Sequence, residues 1–145
     1  DEEYLKITDR KKDIIVNAGG DNISPTRVEA KLDIEPEIAQ SMLYGDFKNY
    51  LVAVIVPDKD FAINWAKDNS KNQSFESIVK DEDFKKEINE VVNKVNKDLS
   101  VIEHVRKFIL IDHEFTIENS MMTPSMKVRR FVVKNKYGEE LEKLY

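Results

Sequence analysis

Cysteine is absent from this 145-residue chain. Disulfides and thiolate metal sites are therefore excluded, and nothing suggests secretion. Histidine is almost absent. His104 and His113 stand nine residues apart, a spacing that matches no metal-ligand pattern, so no metal site is expected in this domain. His104 ends a helical pattern and is expected at the surface or partly packed. No apolar run approaches the roughly 20 residues that span a bilayer, and the first 13 residues carry too much charge for a signal peptide. No GxSxG nucleophile motif, internal repeat or low-complexity tract is present. The net charge of −5 argues against nucleic acid as a partner. The C-terminal end is locally basic all the same, with six Lys and Arg against three Glu from Thr123 to Tyr145. Glycine is scarce as well: there are four, and two of them, Gly19 and Gly20, are adjacent.

What remains is 41% hydrophobic and 35% charged, the balance of a soluble globular domain with a modest core. The chain opens on an apparent strand, "YLKIT", with no initiating methionine, as a segment of a longer protein or a processed N-terminus would. "DRKK" then reads as a solvated turn into a second strand, "DIIVNA", which the glycine pair ends. Ser24 and Pro25 are the N-cap and first position of a helix on which Val28 and Leu32 share a buried face. "IAQSMLYGD" and "YLVAVIVPD" read as an antiparallel hairpin around Gly45–Asn49. The second run is almost wholly apolar, which predicts a central strand buried on both faces. A short helix with Phe61 and Trp65 on one side follows. Next comes a long helix whose Phe84, Ile88, Val91, Val92, Val95 and Leu99 form a helical stripe. "RKFILIDHEF" is a further strand. After a loop broken at Thr123 and Pro124, the pattern turns helical from Lys127, with Val128, Phe131 and Val132 on one face and Lys127, Arg130 and Lys134 on another. The expected fold is α+β: a small compact domain with a short hairpin and a central sheet of about three to five strands, flanked by helices.

Two stretches could carry chemistry. In "TPSMKVRR", Lys127 sits where a loop becomes a helix, so its ammonium reaches out from a fixed base toward a carboxylate or phosphate. The simpler alternative is a solvated basic face. In "TDRKKDIIVNAGGDNISP", the charged run could be only a turn and the glycines only a strand end. A glycine-rich loop before a helix N-terminus suits anions, but the P-loop spacing is missing.

Together and in order, these stretches resemble the adenylate-forming enzyme superfamily. "YLKITDRKKDIIVNAGGDNISPTRVE" is similar to its hinge segment and "FTIENSMMTPSMKVRR" to its C-terminal lysine motif. Met126 before Lys127, and the "ITDRKKD…AGGDN" wording, resemble the long-chain fatty acid CoA ligase branch. The resemblance covers essentially the whole chain and implies a division into residues 1–12, a strand and hinge leading from an absent N-terminal adenylation domain, and 13–145, a mobile C-terminal domain. It implies an acid–thiol ligase, inactive as this segment alone, that makes an acyl-adenylate from a fatty acid and ATP and then a thioester with coenzyme A. Lys127 matches the adenylation lysine, Arg10 the arginine that binds the ribose of ATP or AMP, and Lys12 the hinge position. Gly19 and Gly20 match the loop that lines the coenzyme A tunnel. ATP and Mg2+ would be held mainly by the absent domain, which is also the implied partner. The implied location is cytoplasmic, with peripheral membrane association open to the full-length protein. A non-catalytic interaction module, standing alone or within an inactive homologue, is the alternative.

Overall fold

The computed structural model describes residues 14–125 and 127–145. The expected first strand, and with it Arg10 and Lys12, lies outside the described residues. The elements run β1 (Ile15–Val16), β2 (Asn22–Ile23), α1 (Pro25–Asp33), β3 (Ile38–Tyr44), β4 (Leu51–Pro57), α2 (Lys59–Asp68), α3 (Phe75–Ile78), α4 (Glu82–Asn96), a 3₁₀ turn (Val101–Glu103), β5 (Val105–Leu110) and α5 (Arg130–Glu142). β1 and β2 pair antiparallel, Ile15 opposite Ile23. β4 lies between β3, antiparallel, and β5, parallel. This is an α+β domain in which the glycine loop is itself a hairpin turn.

β4 explains the layering. All seven of its residues are buried, and its side chains alternate between two cores. Leu51, Ala53 and Ile55 face a core completed by Val28 and Leu32 of α1, Ala62 and Ala66 of α2, and the stripe Phe84, Ile88, Val92 and Val95 of α4. Val52, Val54 and Val56 face a second core, built with Phe115, Met121 and the α5 residues Val133, Tyr137 and Leu141. Asp58 and Asp81 cap α2 and α4 by accepting backbone N–H groups from the first turn. Ser24 occupies the N-cap of α1 with Pro25 behind it, but its hydroxyl meets Thr26 Oγ1 at 3.2 Å instead of the backbone.

The apolar face expected for the last helix is corrected. Phe131 is 74% exposed and Val128 precedes the helix; the buried positions are Val133, Tyr137 and Leu141, spaced i, i+4, i+8. The helix starts at Arg130, three residues after Lys127, so the lysine belongs to the loop. No helix among the described residues is long and apolar enough to cross a membrane.

At the end of α1, Asp33 Oδ1 accepts the Ser41 hydroxyl at 2.8 Å. Desolvation pushes its carboxyl up to about 6; the Ser41 bond opposes this and the Glu29 carboxylate adds to it. Because the folded value exceeds the unfolded 3.8, the folded state holds this proton more tightly. Its stabilisation is complete below about pH 4 and is lost as the pH rises through 6. Asp33→Asn keeps an acceptor for Ser41 and is expected to be more stable than the native chain at pH 7–8, by about 1 kcal/mol or less given solvent screening. The two should converge below pH 4, as urea midpoints across this range would show.

Candidate functional site

The segment leading to Lys127 has little regular structure, yet its backbone is ordered by side chains. Gln40 of β3 docks it by a reciprocal pair, Phe115 N–H to Gln40 Oε1 at 2.7 Å and Gln40 Nε2 to the Phe115 carbonyl at 3.0 Å. Asn119 then organises the turn. Its Oδ1 accepts the N–H groups of Thr116 and Met121, both at 3.0 Å, and its amide donates to the Glu114 carbonyl at 2.8 Å. Met121, 3% exposed, is driven into the second core as the anchor.

From that anchor the chain makes a closed loop. Met122 and Val128 form an antiparallel bridge, and Arg129 N–H donates to the Met121 carbonyl at 2.7 Å. Inside the bridge, Thr123 N–H donates to the Lys127 carbonyl at 2.8 Å, while Lys127 N–H donates to Thr123 Oγ1 at 3.1 Å. Lys127 is exposed. Neither its ammonium nor the Arg129 guanidinium has a hydrogen-bond or ion-pair partner among the described residues. Both border an open cleft of about 470 Å³, with Phe131 and the Lys134–Asp46 ion pair (3.4 Å) on its rim. A cationic side chain on a fixed base, with its charge unspent, suits an anionic reactant.

Arg130 behaves differently from its neighbours. Its guanidinium makes a two-pronged contact to buried Glu29 of α1, at 2.5 and 2.6 Å. Glu29 Oε2 also accepts the Leu43 N–H of β3, at 2.6 Å. The basic run is therefore not a uniform solvated face: Arg130 fastens the lysine loop to the first core. Sequence reasoning gave Glu29 no role, because its partner is 101 residues away.

Gly19 and Gly20 lie elsewhere, at the exposed tip of the β1–β2 hairpin. Gly20 has φ +84°, a left-handed conformation that L side chains rarely adopt, and Asn17 and Asp21 close the turn through Asp21 N–H to Asn17 Oδ1 at 2.9 Å. Gly19 does not share that conformation; a Cβ there would meet only Asn17 Oδ1 at 3.5 Å and Asp21 Oδ2 at 3.6 Å, normal contacts. Of the two, only Gly20 is required by the backbone. The hairpin leans on the β3–β4 turn through Ala18 N–H to the Lys48 carbonyl (2.9 Å) and Phe47 N–H to the Val16 carbonyl (2.8 Å). The glycines do not border the Lys127 cleft.

The histidines are engaged in local bonds. His104 Nε2 lies 3.1 Å from the Leu99 carbonyl. His113 bridges Asp112 Oδ1 (2.9 Å) and the Tyr137 hydroxyl (2.5 Å). Burial pushes the Tyr137 phenol up to about 12, with help from the Asp112 charge. It stays protonated at neutral pH and can donate to the imidazole. Among the described residues, no group of three or more His, Asp or Glu could hold a metal ion.

A family model described as the AMP-binding enzyme C-terminal domain matches residues 12–145. Over 144 residues the chain is 38% identical to a long-chain-fatty-acid–CoA ligase of Mycobacterium tuberculosis and 33% identical to long-chain-fatty-acid–CoA ligase 1 of Homo sapiens. These alignments take in 98% and 97% of this chain but 24% and 21% of those proteins. Among solved structures, the adenylation domain of a carboxylate reductase from Mycobacterium chelonae superposes with a TM-score of 0.79 at 29% identity, covering 94% of this chain and 20% of that one. The A–PCP didomain of a carboxylic acid reductase from Segniliparus rugosus, solved in complex with AMP, gives 0.74 at 29% identity, covering 92% and 17%. The chain thus spans about a quarter or less of the length of these relatives.

Proposed function

This chain belongs to the family of AMP-binding enzyme C-terminal domains, and on that premise we propose that it is the mobile C-terminal domain of an ATP-dependent long-chain fatty acid CoA ligase. The observation that carries the reading is Lys127: an exposed ammonium without an internal partner among the described residues, on a loop clasped at both ends. In the first half-reaction a fatty acid carboxylate oxygen attacks the α-phosphorus of ATP, and the bond to the bridging oxygen breaks to release pyrophosphate. Both reactants are anions. Lys127 supplies positive charge between them as negative charge moves onto the bridging oxygen. In the second, the thiol of coenzyme A attacks the acyl carbonyl and AMP leaves. Arg10 would hold the ribose of the nucleotide. Lys12 would mark the hinge about which the domain turns between the two steps. The two glycines lie at the tip of their hairpin and do not line the Lys127 cleft, although Ile15 at the base of the same hairpin does; the tip and the lysine would each serve one half-reaction. The protein's own larger adenylation domain would bind most of the ATP, its Mg2+ and the acyl chain.

The test follows the two half-reactions in the full-length protein. Pyrophosphate release from ATP should depend on a long-chain fatty acid such as palmitate, and thioester should form when coenzyme A is added; this domain alone should do neither. Gly19→Ala sharpens the test. A methyl group at Gly19 has room within the domain, so the thermal midpoint should not move. Backbone approach of the pantetheine arm would nevertheless be blocked, and the thioester step should fall by about tenfold or more with adenylation spared. A full-length protein that releases no pyrophosphate with any carboxylic acid overturns the ligase reading, and equal loss in both steps overturns the glycine assignment.

A further inference from the structure

We infer that Thr123 is a positioning residue for Lys127, holding the backbone from which the lysine reaches its substrate; this rests on the adenylation role proposed above. Three contacts meet at this half-buried threonine. Its N–H donates to the Lys127 carbonyl at 2.8 Å, its Oγ1 accepts the Lys127 N–H at 3.1 Å, and the same hydroxyl shares a hydrogen bond with Ser125 Oγ at 2.9 Å. Both backbone polar groups of Lys127 are therefore bonded to one residue four positions earlier. The Lys127 N–H already takes up one Oγ1 lone pair, so the hydroxyl hydrogen is available to Ser125, and the donors and acceptors balance.

The division of labour follows from side-chain entropy. A lysine has many rotamers, and ordering it at a reacting centre is costly. Nothing among the described residues orders the Lys127 ammonium, so its Cα must be placed well for the chain to find its target. Thr123 does this from a position tied to the second core through its neighbours. The Met122–Val128 bridge closes directly outside the clasp, and buried Met121 lies one residue further out. Valine at 123 keeps the shape and the backbone bond but loses the hydroxyl, leaving the Lys127 N–H on an exposed loop to water. Misplacement of this kind lowers a rate without weakening binding.

In the full-length protein, Thr123→Val should slow acyl-adenylate formation by about tenfold in kcat. The KM for ATP and for fatty acid, the thermal midpoint, and thioester formation from supplied acyl-adenylate should all stay within twofold or unchanged. Thr123→Ser, which restores the hydroxyl, should recover most of the rate. In a Lys127→Ala background, Thr123→Val should cause no further loss, because the clasp then has nothing to position. The inference is overturned if Thr123→Val matches the native enzyme, if serine fails to rescue, if both half-reactions fall together, or if the losses from Thr123 and Lys127 multiply. These failures are separable from failure of the underlying reading. If Lys127→Ala itself leaves adenylation intact, the lysine assignment falls. If Lys127→Ala collapses adenylation while Thr123→Val does nothing, only the clasp falls.

Discussion

Lys127→Ala in the full-length enzyme is expected to slow acyl-adenylate formation by about 10²–10³, equivalent to about 3–4 kcal/mol of transition-state stabilisation. Thioester formation from supplied acyl-adenylate should stay near the native rate, because that step is assigned to the glycine loop and not to Lys127. The variant should fold as well as the native protein: the ammonium is exposed and has no partner among the described residues, so its removal breaks no internal bond. Lys127→Arg should recover little, since a planar fork cannot take the place of a compact point charge with three rotatable donors. Measuring pyrophosphate release and thioester formation separately decides the matter. Two near-native rates would reduce Lys127 to part of a solvated surface.

Arg130→Ala should lower stability by about 3–5 kcal/mol, as expected when one member of a buried ion pair is removed. For a chain of this length that is roughly 10 °C or more in thermal midpoint. The cause is Glu29: it sits 6% exposed and receives both arms of the guanidinium as well as the Leu43 N–H. Truncating the arginine strips two charge-assisted bonds from a carboxylate that water scarcely reaches. Arg130→Lys should fall between, keeping the charge but not the fork. By contrast, Arg129→Ala, one position away and exposed, should leave the midpoint within about 0.5 kcal/mol. Calorimetry on the three variants provides the contrast, and equal effects at 129 and 130 would contradict the assigned roles.

The sequence revealed those parts of the fold in which burial imposes a period. The α4 stripe was legible because its five predicted apolar positions, Phe84 to Val95, are buried, as is Leu99 just beyond the helix end. β4 was legible because two cores leave it no polar side. The last helix was misread because its first apolar residues, Phe131 and Val132, fall beside the stripe; the true spacing appears only when Val133 is followed on to Tyr137 and Leu141. β2 is two residues long and carries no periodicity to detect. At the site, Lys127 and the glycine pair were singled out by motif. The residues that hold them in place were not. Thr123 was read as a helix breaker, Asn119 as part of a loop, and Glu29 was given no role. Their bonds are made to backbone or across 101 residues, and neither leaves a pattern in one dimension.

That long-range pair also constrains the order in which the domain can assemble. Glu29 enters the growing chain early and Arg130 late, while β3 and β4 can pair as soon as their local hairpin is complete. A chain that has emerged only as far as β5 can lay down the sheet and the core beneath α1 and α4. It must then keep the Glu29 carboxylate solvated or protonated until the arginine arrives. Loop closure over a hundred residues is slow compared with a hairpin. The lysine loop can be fastened to α1 only once Arg130 is present, so a chain ending at β5 would hold the elements of the first core without the second core or the reactive arm.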